Sequence, residues 1–242
     1  MYHYIEDKDF LKRMRSHCSD IINQLVQSIN NDPVMTVEAH LVGSGARNLI
    51  TQNENGPVDL DYNLCVREVF GIHRDDGRAI KEHIKKHFNT VLSKNGWSDC
   101  QDSTAALSTG LRQFTKGNKT EFKIDLAIVR ENDWGWERLI HRKTGIVAYD
   151  QLYWNKTRDP RRLADKVLAI KDKNLWHEVR KNVWNEVREL YLKNKNIYLQ
   201  RNDHDHSSFV VYIETINEIY YKYFSPPGRA VIIDLFGREH RL

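Results

Sequence analysis

The spacing of apolar residues changes along the chain and divides it into two halves. Between residues 7 and 30, apolar side chains recur at steps of three and four, the period of an amphipathic helix. Later segments alternate or carry short apolar runs bounded by turn residues, which predicts strands. The elements predicted for the first half are helices over 7–30 and 78–93, a short helix over 46–51, and strands over 36–42, 58–66, 104–114 and 120–129.

The second half has only helical periodicity until its last residues. Asp159-Pro160 combines a capping aspartate with proline at the first helical position, so a helix is predicted to start there. Amphipathic patterns over 174–195 and 207–224 predict two more helices. We therefore predict an α+β fold: a mixed-sheet core over 1–150, followed by a helical C-terminal domain over 151–242.

Composition adds limits to this picture. Apolar residues make up 40% and charged residues 29% of the chain, which is typical of a globular protein. No apolar run is long enough for a membrane span, and the first residues lack the layout of a signal peptide. Cys18, Cys65 and Cys100 are far apart in the sequence, which favours free thiols and predicts a cytoplasmic protein.

The net charge of +4 is a weak indicator of a partner. Lysine and arginine are numerous after residue 156, and such a stretch would suit a phosphate-rich ligand. Acidic residues are interleaved with them throughout, so solvated helix faces explain the same pattern and are the preferred interpretation.

The first motif with chemical content is Leu41-Val42-Gly43-Ser44, where an apolar strand runs into a Gly-Ser turn. Glycine allows backbone N–H groups to approach phosphate oxygens closely. The serine hydroxyl and the start of a following helix add hydrogen-bond donors. On its own the motif also fits an ordinary strand-to-helix turn.

The second motif lies on the predicted strand over 58–66. Side chains alternate between faces in a strand, so Asp59, Asp61 and Asn63 share one face while Leu60 points to the other. Two neighbouring carboxylates repel each other unless a cation lies between them, and oxygen ligands suit Mg²⁺. A solvated polar face on an edge strand would give the same alternation.

The third motif is a single acid within an apolar strand, Asp125 in Ile124-Asp125-Leu126. Aspartate is disfavoured in strands, so a functional role or a partner is expected. The structural alternative is a salt bridge to a nearby lysine or arginine.

Together the three motifs resemble the DNA polymerase beta-like nucleotidyltransferase superfamily. That family combines Gly-Ser or Gly-Gly after a strand, an Asp-x-Asp strand and a third carboxylate on a later strand. Leu41-Val42-Gly43-Ser44, Asp59-Leu60-Asp61 and Ile124-Asp125-Leu126 match in order, and the resemblance covers roughly residues 36–130. The alternation of helices and strands between the motifs is similar to the branch that holds cyclic-dinucleotide synthases.

The sequence departs from that branch between the first two motifs. The spacer from Ser44 to Asp59 is slightly long, and Arg47-Asn48-Leu49-Ile50-Thr51 stands where many members of the branch carry a Gly-Thr pair. This difference affects the choice of acceptor and branch more than the metal site.

The resemblance implies a metal-dependent reaction on a nucleoside triphosphate, with ATP the first choice. Asp59, Asp61 and Asp125 would hold two Mg²⁺ ions, for which Mn²⁺ can substitute, and would act as the catalytic residues. Gly43 and Ser44 would bind the β- and γ-phosphates. The acceptor hydroxyl could belong to a nucleotide, a small molecule, an RNA end or a protein.

Basic residues should help to bind the triphosphate. Lys166 and Lys171 of the helical half are the first candidates and Arg47 is the next. For each of them a surface position without a role in the site is about as well supported by the sequence.

Two other hypotheses stay open at this point. A non-catalytic nucleotide- or RNA-binding module could use the same fold, although degenerate members usually lose one of the carboxylates and all three are present here. In a purely structural α/β protein the acids would only make salt bridges. His204-Asp205-His206 suggests a metal ligand set, but its polar flanks favour a loop that ends in a helix cap.

Overall fold

A computed structural model describes most of the chain, and it divides the chain into two compact units. The described residues are 1–157, 161–171, 177–203, 208–224, 231–233 and 239–241. One unit consists of Tyr4–Arg158, and the other of Met1–His3 together with Asp159–Leu242.

The secondary structure alternates in the first unit and is mainly helical in the second. The helices are α1 (Lys8–Asn30), α2 (Gly43–Arg47), α3 (Gly77–Lys94), α4 (Arg161–Ile170), α5 (His177–Gln200) and α6 (Ser208–Phe224), with a 3₁₀ turn at Val147–Tyr149. The strands are β1 (Tyr2–Tyr4), β2 (Met35–Leu41), β3 (Thr51–Asn53), β4 (Val58–Val69), β5 (Gln101–Asp102), β6 (Leu107–Ser108), β7 (Phe122–Asn132), β8 (Gly135–Arg142), β9 (Gln151–Lys156), β10 (Val231–Ile233) and β11 (Glu239–Arg241).

Each of the two long helices of the first unit begins at an aspartate cap. Asp7 accepts a hydrogen bond from the backbone N–H of Phe10 at 2.9 Å, and α1 follows. Asp76 accepts from the backbone N–H of Ala79 at 2.9 Å, and α3 follows. A carboxylate at this position satisfies a backbone donor of the first turn and interacts favourably with the helix dipole.

The main sheet has seven strands and mixed direction. Along its principal path the order is β2-β4-β7-β6-β5, and β8 and β9 extend it from β7. Strands β4 and β7 are parallel, whereas β2 pairs with β4 and β6 with β7 in the antiparallel sense. Two parallel strands must be joined by a crossover connection, and the connection from β4 to β7 contains α3.

One face of the β4–β7 pair is covered by helices. Leu60 of β4 and Ile124 of β7 are fully buried, in a single hydrophobic cluster with residues of α1 and α3. Tyr62 also points to that side, because its hydroxyl lies 3.0 Å from the Ser19 Oγ of α1. Alternation along each strand therefore leaves the intervening residues for the opposite face.

The second unit is built from α4, α5 and α6. Val187 of α5 and Ile216 of α6 are buried, as the amphipathic pattern predicts, and Tyr191 of α5 is buried as well. Strands β10 and β11 form an antiparallel pair near the end of the chain. The predicted α+β fold with a mixed sheet followed by helices is confirmed.

Several predicted boundaries differ from the structure. The predicted strand over 104–114 shrinks to β6, because Gly110 follows and the Thr109 side-chain oxygen takes the hydrogen bond from the Ile124 N–H. The short helix starts earlier than predicted, at Gly43, and ends where Asn48 adopts a left-handed conformation with φ of 57°.

Strands β8 and β9 were not predicted, and β9 lies beyond the predicted domain boundary at residue 150. Within the described residues, none of the helices is both long and apolar enough to cross a membrane.

Candidate active site

The parallel register of β4 and β7 brings the second and third motifs together. Asp61 pairs directly with Asp125, and Asp59 pairs with Lys123. Neighbouring strands lie about 4.8 Å apart, and partners in register project from the same face. The three aspartates therefore share one face of the sheet, opposite the one covered by α1 and α3.

The three carboxylates differ in exposure. The Asp59 side chain is 48% exposed, whereas that of Asp125 is 21% exposed and Asp61 is partly buried. Burial, followed by the negative charges of Asp125 and Asp59, raises the pKa of Asp61 to about 6. The ionised form of Asp61 is therefore favoured by a nearby positive charge.

A lysine supplies part of that positive charge. The Lys123 ammonium lies 3.1 Å from Asp125 Oδ2 and 3.6 Å from Asp59 Oδ1. Burial lowers the pKa of Lys123, but the two aspartates outweigh this effect and the net shift is upward. The salt bridge that the structural hypothesis expected for Asp125 is therefore present.

The carboxylate oxygens of the three aspartates are farther apart than the ligand atoms of a preformed metal site. Within the part of the chain that the structure describes, two groups of His, Cys, Asp or Glu have ligand atoms within 4.8 Å of one another, and Asp59, Asp61 and Asp125 do not form a third. Lys123 makes the contact between Asp59 and Asp125 instead.

A second cation and two polar groups border the carboxylates. Arg138 of β8 lies opposite Val129 of β7, and its positive charge opposes part of the upward shift in the pKa of Asp61. Ser108 of β6 pairs with Asp125 on the side away from Asp61. The Oδ1 atom of Asn63 is buried without a hydrogen-bond partner on the same face as Asp61.

The first motif lies directly against the carboxylates. Gly43 has φ of +62°, and a Cβ placed on it would lie 2.4 Å from Asp61 Oδ2. The Val42 N–H donates to the Asp61 carbonyl at 2.8 Å, which fixes the turn to β4. Glycine is thus required for both its conformation and the close approach.

Arg47 and Ser44 belong to this turn. The Arg47 guanidinium donates to the Gly43 carbonyl at 2.8 Å, and the Ser44 carbonyl accepts from the Leu49 N–H at 3.0 Å. Both residues lie on α2, directly after the turn at Gly43, and their role in binding a nucleotide stays a prediction.

Lys166 and Lys171 lie in the other unit of the chain. The Lys166 ammonium donates to Asn217 Oδ1 at 2.7 Å and to the Tyr221 hydroxyl at 3.0 Å. The Lys171 ammonium lies 4.0 Å from the centre of the Trp184 ring. Both lysines thus have partners in the helical unit, and their role at the site stays a prediction.

Sequence reasoning assigned no site role to Lys123 or Arg138, whose charges both act on Asp61. Strand alternation already puts Lys123 on the face of Asp125, and a salt bridge to a nearby lysine was the structural alternative for that aspartate. Arg138 could not be found in this way, because β8 was not predicted and Arg138 joins this part of the sheet only through the pairing of β8 with β7. His204-Asp205-His206 lies outside the described residues.

Comparisons with known proteins give matches among solved structures. No protein-family model matches the chain, and no curated protein matches it. The chain is similar to structures of DncV. The 3'-deoxy ATP-bound form of Vibrio cholerae DncV is 12% identical with a TM-score of 0.48, over 76% of this chain and 45% of that one.

Two further DncV structures give similar values. The 3'-deoxy GTP-bound form from Vibrio cholerae is 12% identical with a TM-score of 0.49, over 84% of this chain and 47% of that one. The 3'-deoxy GTP-bound form from Escherichia coli is 12% identical with a TM-score of 0.45, over 76% and 46%. This chain spans less than half the length of the DncV chains, so a functional conclusion must come from its own site.

Proposed function

We propose that the chain is a Mg²⁺-dependent nucleotidyltransferase that moves a nucleoside monophosphate from an NTP to an acceptor hydroxyl and releases pyrophosphate. The observation that carries the proposal is the register that pairs Asp61 with Asp125, with Asp59 on the same face. Two carboxylates side by side, one of them with a raised pKa, favour a bound cation.

The donor atoms fit Mg²⁺. All three candidate ligands offer carboxylate oxygens, which this ion prefers, and the exposure of Asp59 leaves room for water and for substrate oxygens. When bound, Mg²⁺ would neutralise the charge of the triphosphate and make the acceptor hydroxyl easier to ionise. Asp59 and Asp61 would hold both ions, and Asp125 would complete the set on the acceptor side.

The residues around the carboxylates would position the substrate. Gly43 keeps the turn close to Asp61, so that backbone N–H groups and the Ser44 hydroxyl can reach the β- and γ-phosphates. Arg47 would support this turn through its bond to the Gly43 carbonyl. Lys123 would exchange its carboxylate contacts for a phosphate oxygen, since the metal takes over the compensation of charge.

ATP is the first nucleotide to test, and the acceptor is to be identified from the product. DncV is a cyclic AMP-GMP synthase, so a second nucleotide belongs among the acceptors tested, beside RNA. We assign this chemistry to the cytoplasm, because free thiols are typical of that compartment.

The test is incubation of the purified chain with each α-labelled NTP and Mg²⁺, alone, in pairs and with RNA. We expect labelled product and pyrophosphate from the wild type. Replacing the acceptor-side ligand in Asp125→Asn should reduce the rate by roughly 10³-fold or more, because charge stabilisation is the main catalytic effect. Asp133→Asn, at an exposed aspartate in the turn after β7, is the matched control and should retain full activity.

The size of the labelled product identifies the acceptor. A labelled dinucleotide indicates that the acceptor is a second nucleotide. A labelled RNA indicates an RNA end, and label on the protein itself indicates a protein acceptor. Product that persists in Asp59→Asn, Asp61→Asn and Asp125→Asn alike would show that these carboxylates are not the catalytic site.

One observation favours a second candidate, a non-catalytic nucleotide- or RNA-binding module. The Lys123 ammonium already compensates Asp59 and Asp125, which is how a site without metal would be stabilised. In that case NTP would bind with equal affinity in Mg²⁺ and in EDTA, and no NTP would be turned over. Equilibrium dialysis with labelled ATP in both buffers separates the two candidates.

A further inference from the structure

Two histidines of α3 face the end of α1, away from the carboxylates. His83 and His87 are four residues apart, so they lie on the same side of the helix. Their ring centres are 4.6 Å apart. Ile84 and Phe88 of the same helix are buried in the cluster that covers the apolar face of β4, so this histidine pair is separate from the proposed active site.

The hydrogen bonding of the pair is incomplete. The Nε2 atom of His83 is buried and has no hydrogen-bond partner. Buried polar atoms nearly always have a partner, so an unsatisfied ring nitrogen calls for an explanation. Histidine is the commonest metal ligand in proteins, so a bound metal ion is one explanation for an unsatisfied ring nitrogen.

The third member of the group is Asp32, in the loop between α1 and β2. Its Oδ1 accepts a hydrogen bond from the Val34 N–H at 3.1 Å, and its Oδ2 lies 3.4 Å from His87 Nε2. The other ring nitrogen of His87, Nδ1, lies 2.8 Å from Ser28 Oγ. This arrangement fixes the His87 ring and directs Nε2 to Asp32, as second partners do for metal-binding histidines.

We propose that Asp32, His83 and His87 bind a transition-metal ion of the Zn²⁺ type. One ligand atom from each residue lies within 4.8 Å of the other two, and about 3.4 Å separates neighbouring ligands in a tetrahedral Zn²⁺ site, so small side-chain rotations suffice. Two imidazoles and one carboxylate suit Zn²⁺ and not Mg²⁺, with water as the fourth ligand. The ion would join the loop after α1 to α3.

Zn²⁺ binding by these three residues does not depend on the nucleotidyltransferase assignment, and it can be measured without an activity assay. The full chain is stripped with EDTA and titrated with Zn²⁺, and separately with Mg²⁺, by isothermal titration calorimetry. We expect one strong Zn²⁺ site that Mg²⁺ does not occupy, and a higher melting temperature with Zn²⁺. Removal of a ligand in His83→Gln, His87→Gln or Asp32→Asn should weaken Zn²⁺ binding by roughly tenfold or more.

The matched control is His73→Gln, since His73 is an exposed histidine that belongs to neither candidate metal group. It should bind Zn²⁺ like the wild type. Circular dichroism without metal checks that the ligand variants fold. If one of them does not, Ser28→Ala leaves all three ligands in place and should still weaken binding through the loss of the His87 contact.

Two results would overturn the proposal. One is Zn²⁺ affinity that is unchanged in folded His83→Gln and His87→Gln, or absent from the wild type. The other is a thiolate charge-transfer band with Co²⁺, which would locate the metal at Cys65 in the second group, Glu38, His40 and Cys65.

Discussion

The two faces of the β4–β7 pair are built from alternating residues of the same strands, yet they differ in almost every physical property. Leu60 and Ile124 are fully buried on the helix-covered face. Asp61 and Asp125, one position further along each strand, lie on the other face with the Lys123 ammonium beside them. A change of one position in the sequence therefore separates residues that stabilise the fold from residues that are expected to perform chemistry.

The difference between the two faces explains how the central strands β4 and β7 can carry charged side chains. The apolar face supplies the burial that holds the strands in register. The polar face contains two adjacent carboxylates whose repulsion opposes folding until a cation compensates it. Substitutions on the two faces should therefore affect stability and activity in opposite ways.

The largest change in stability is expected from the apolar face. Leu60→Ala removes a side chain that has no exposed surface and should reduce the free energy of unfolding by about 2–5 kcal/mol. Urea denaturation followed by circular dichroism measures this loss. Activity per folded molecule should stay near the wild-type value, because the carboxylates are untouched. Equal losses of activity and stability would contradict the division between the faces.

The polar face should behave in the opposite way. Asp61→Asn removes a partly buried charge that is repelled by Asp125 and Asp59, so the variant should be more stable than the wild type at pH 7 without metal, by on the order of 1–3 kcal/mol. The folded-state pKa of about 6 lies above the ordinary value of 3.8, so the folded chain binds the additional proton.

The sign of the pH dependence follows from that shift. The contribution of Asp61 to stability is present below pH 4 and is lost as the pH rises through about 6. Urea denaturation in EDTA between pH 4.5 and 7.5 should show that the wild type loses stability relative to Asp61→Asn. Mg²⁺ should reduce the difference at pH 7. Parallel curves for the two proteins would show that the charge of Asp61 is already compensated in the folded chain.

Substitution of Gly43 is expected to change the free energy of unfolding least, but to reduce activity strongly. The left-handed conformation costs alanine about 1–2 kcal/mol, and its Cβ would also displace the Asp61 carboxylate. The matched control is Gly145→Ala, where φ is +87° and no atom lies within 4 Å of an added Cβ. Both variants should lose similar stability from the backbone, and Gly43→Ala should lose about 100-fold in activity as well. Equal activities would show that the turn does not position Asp61.

The aspartates of the candidate site could be identified from the sequence, whereas the residues next to them are determined by strand pairing. Alternation within a strand is a local property, so Asp59 and Asp61 could be assigned to one face from the order of residues alone. The juxtaposition of Asp61 and Asp125 followed only from a resemblance between motifs, since parallel pairing joins residues that are far apart in the chain. Arg138 depends on one further pairing, between β7 and β8, that local patterns do not encode.

The helical half illustrates the same limit. The amphipathic patterns of α5 and α6 were sufficient to predict helices and buried residues such as Val187 and Ile216. Helical periodicity does not show whether a basic residue of that half contacts a substrate. Lys166 shows the difficulty, because a lysine chosen for phosphate binding hydrogen-bonds Asn217 and Tyr221.

The parallel pairing of β4 with β7 also has a kinetic consequence. All of α3 lies between the two strands in the chain, so Asp61 and Asp125 can meet only after a long loop has closed. Contacts of this kind form slowly during folding compared with local ones. A slip of one residue in β7 would send Asp125 to the apolar side and Ile124 to the solvent side. Recovery of activity after refolding would therefore report whether β4 and β7 have paired in the correct register. Recovery of helix content would not report this.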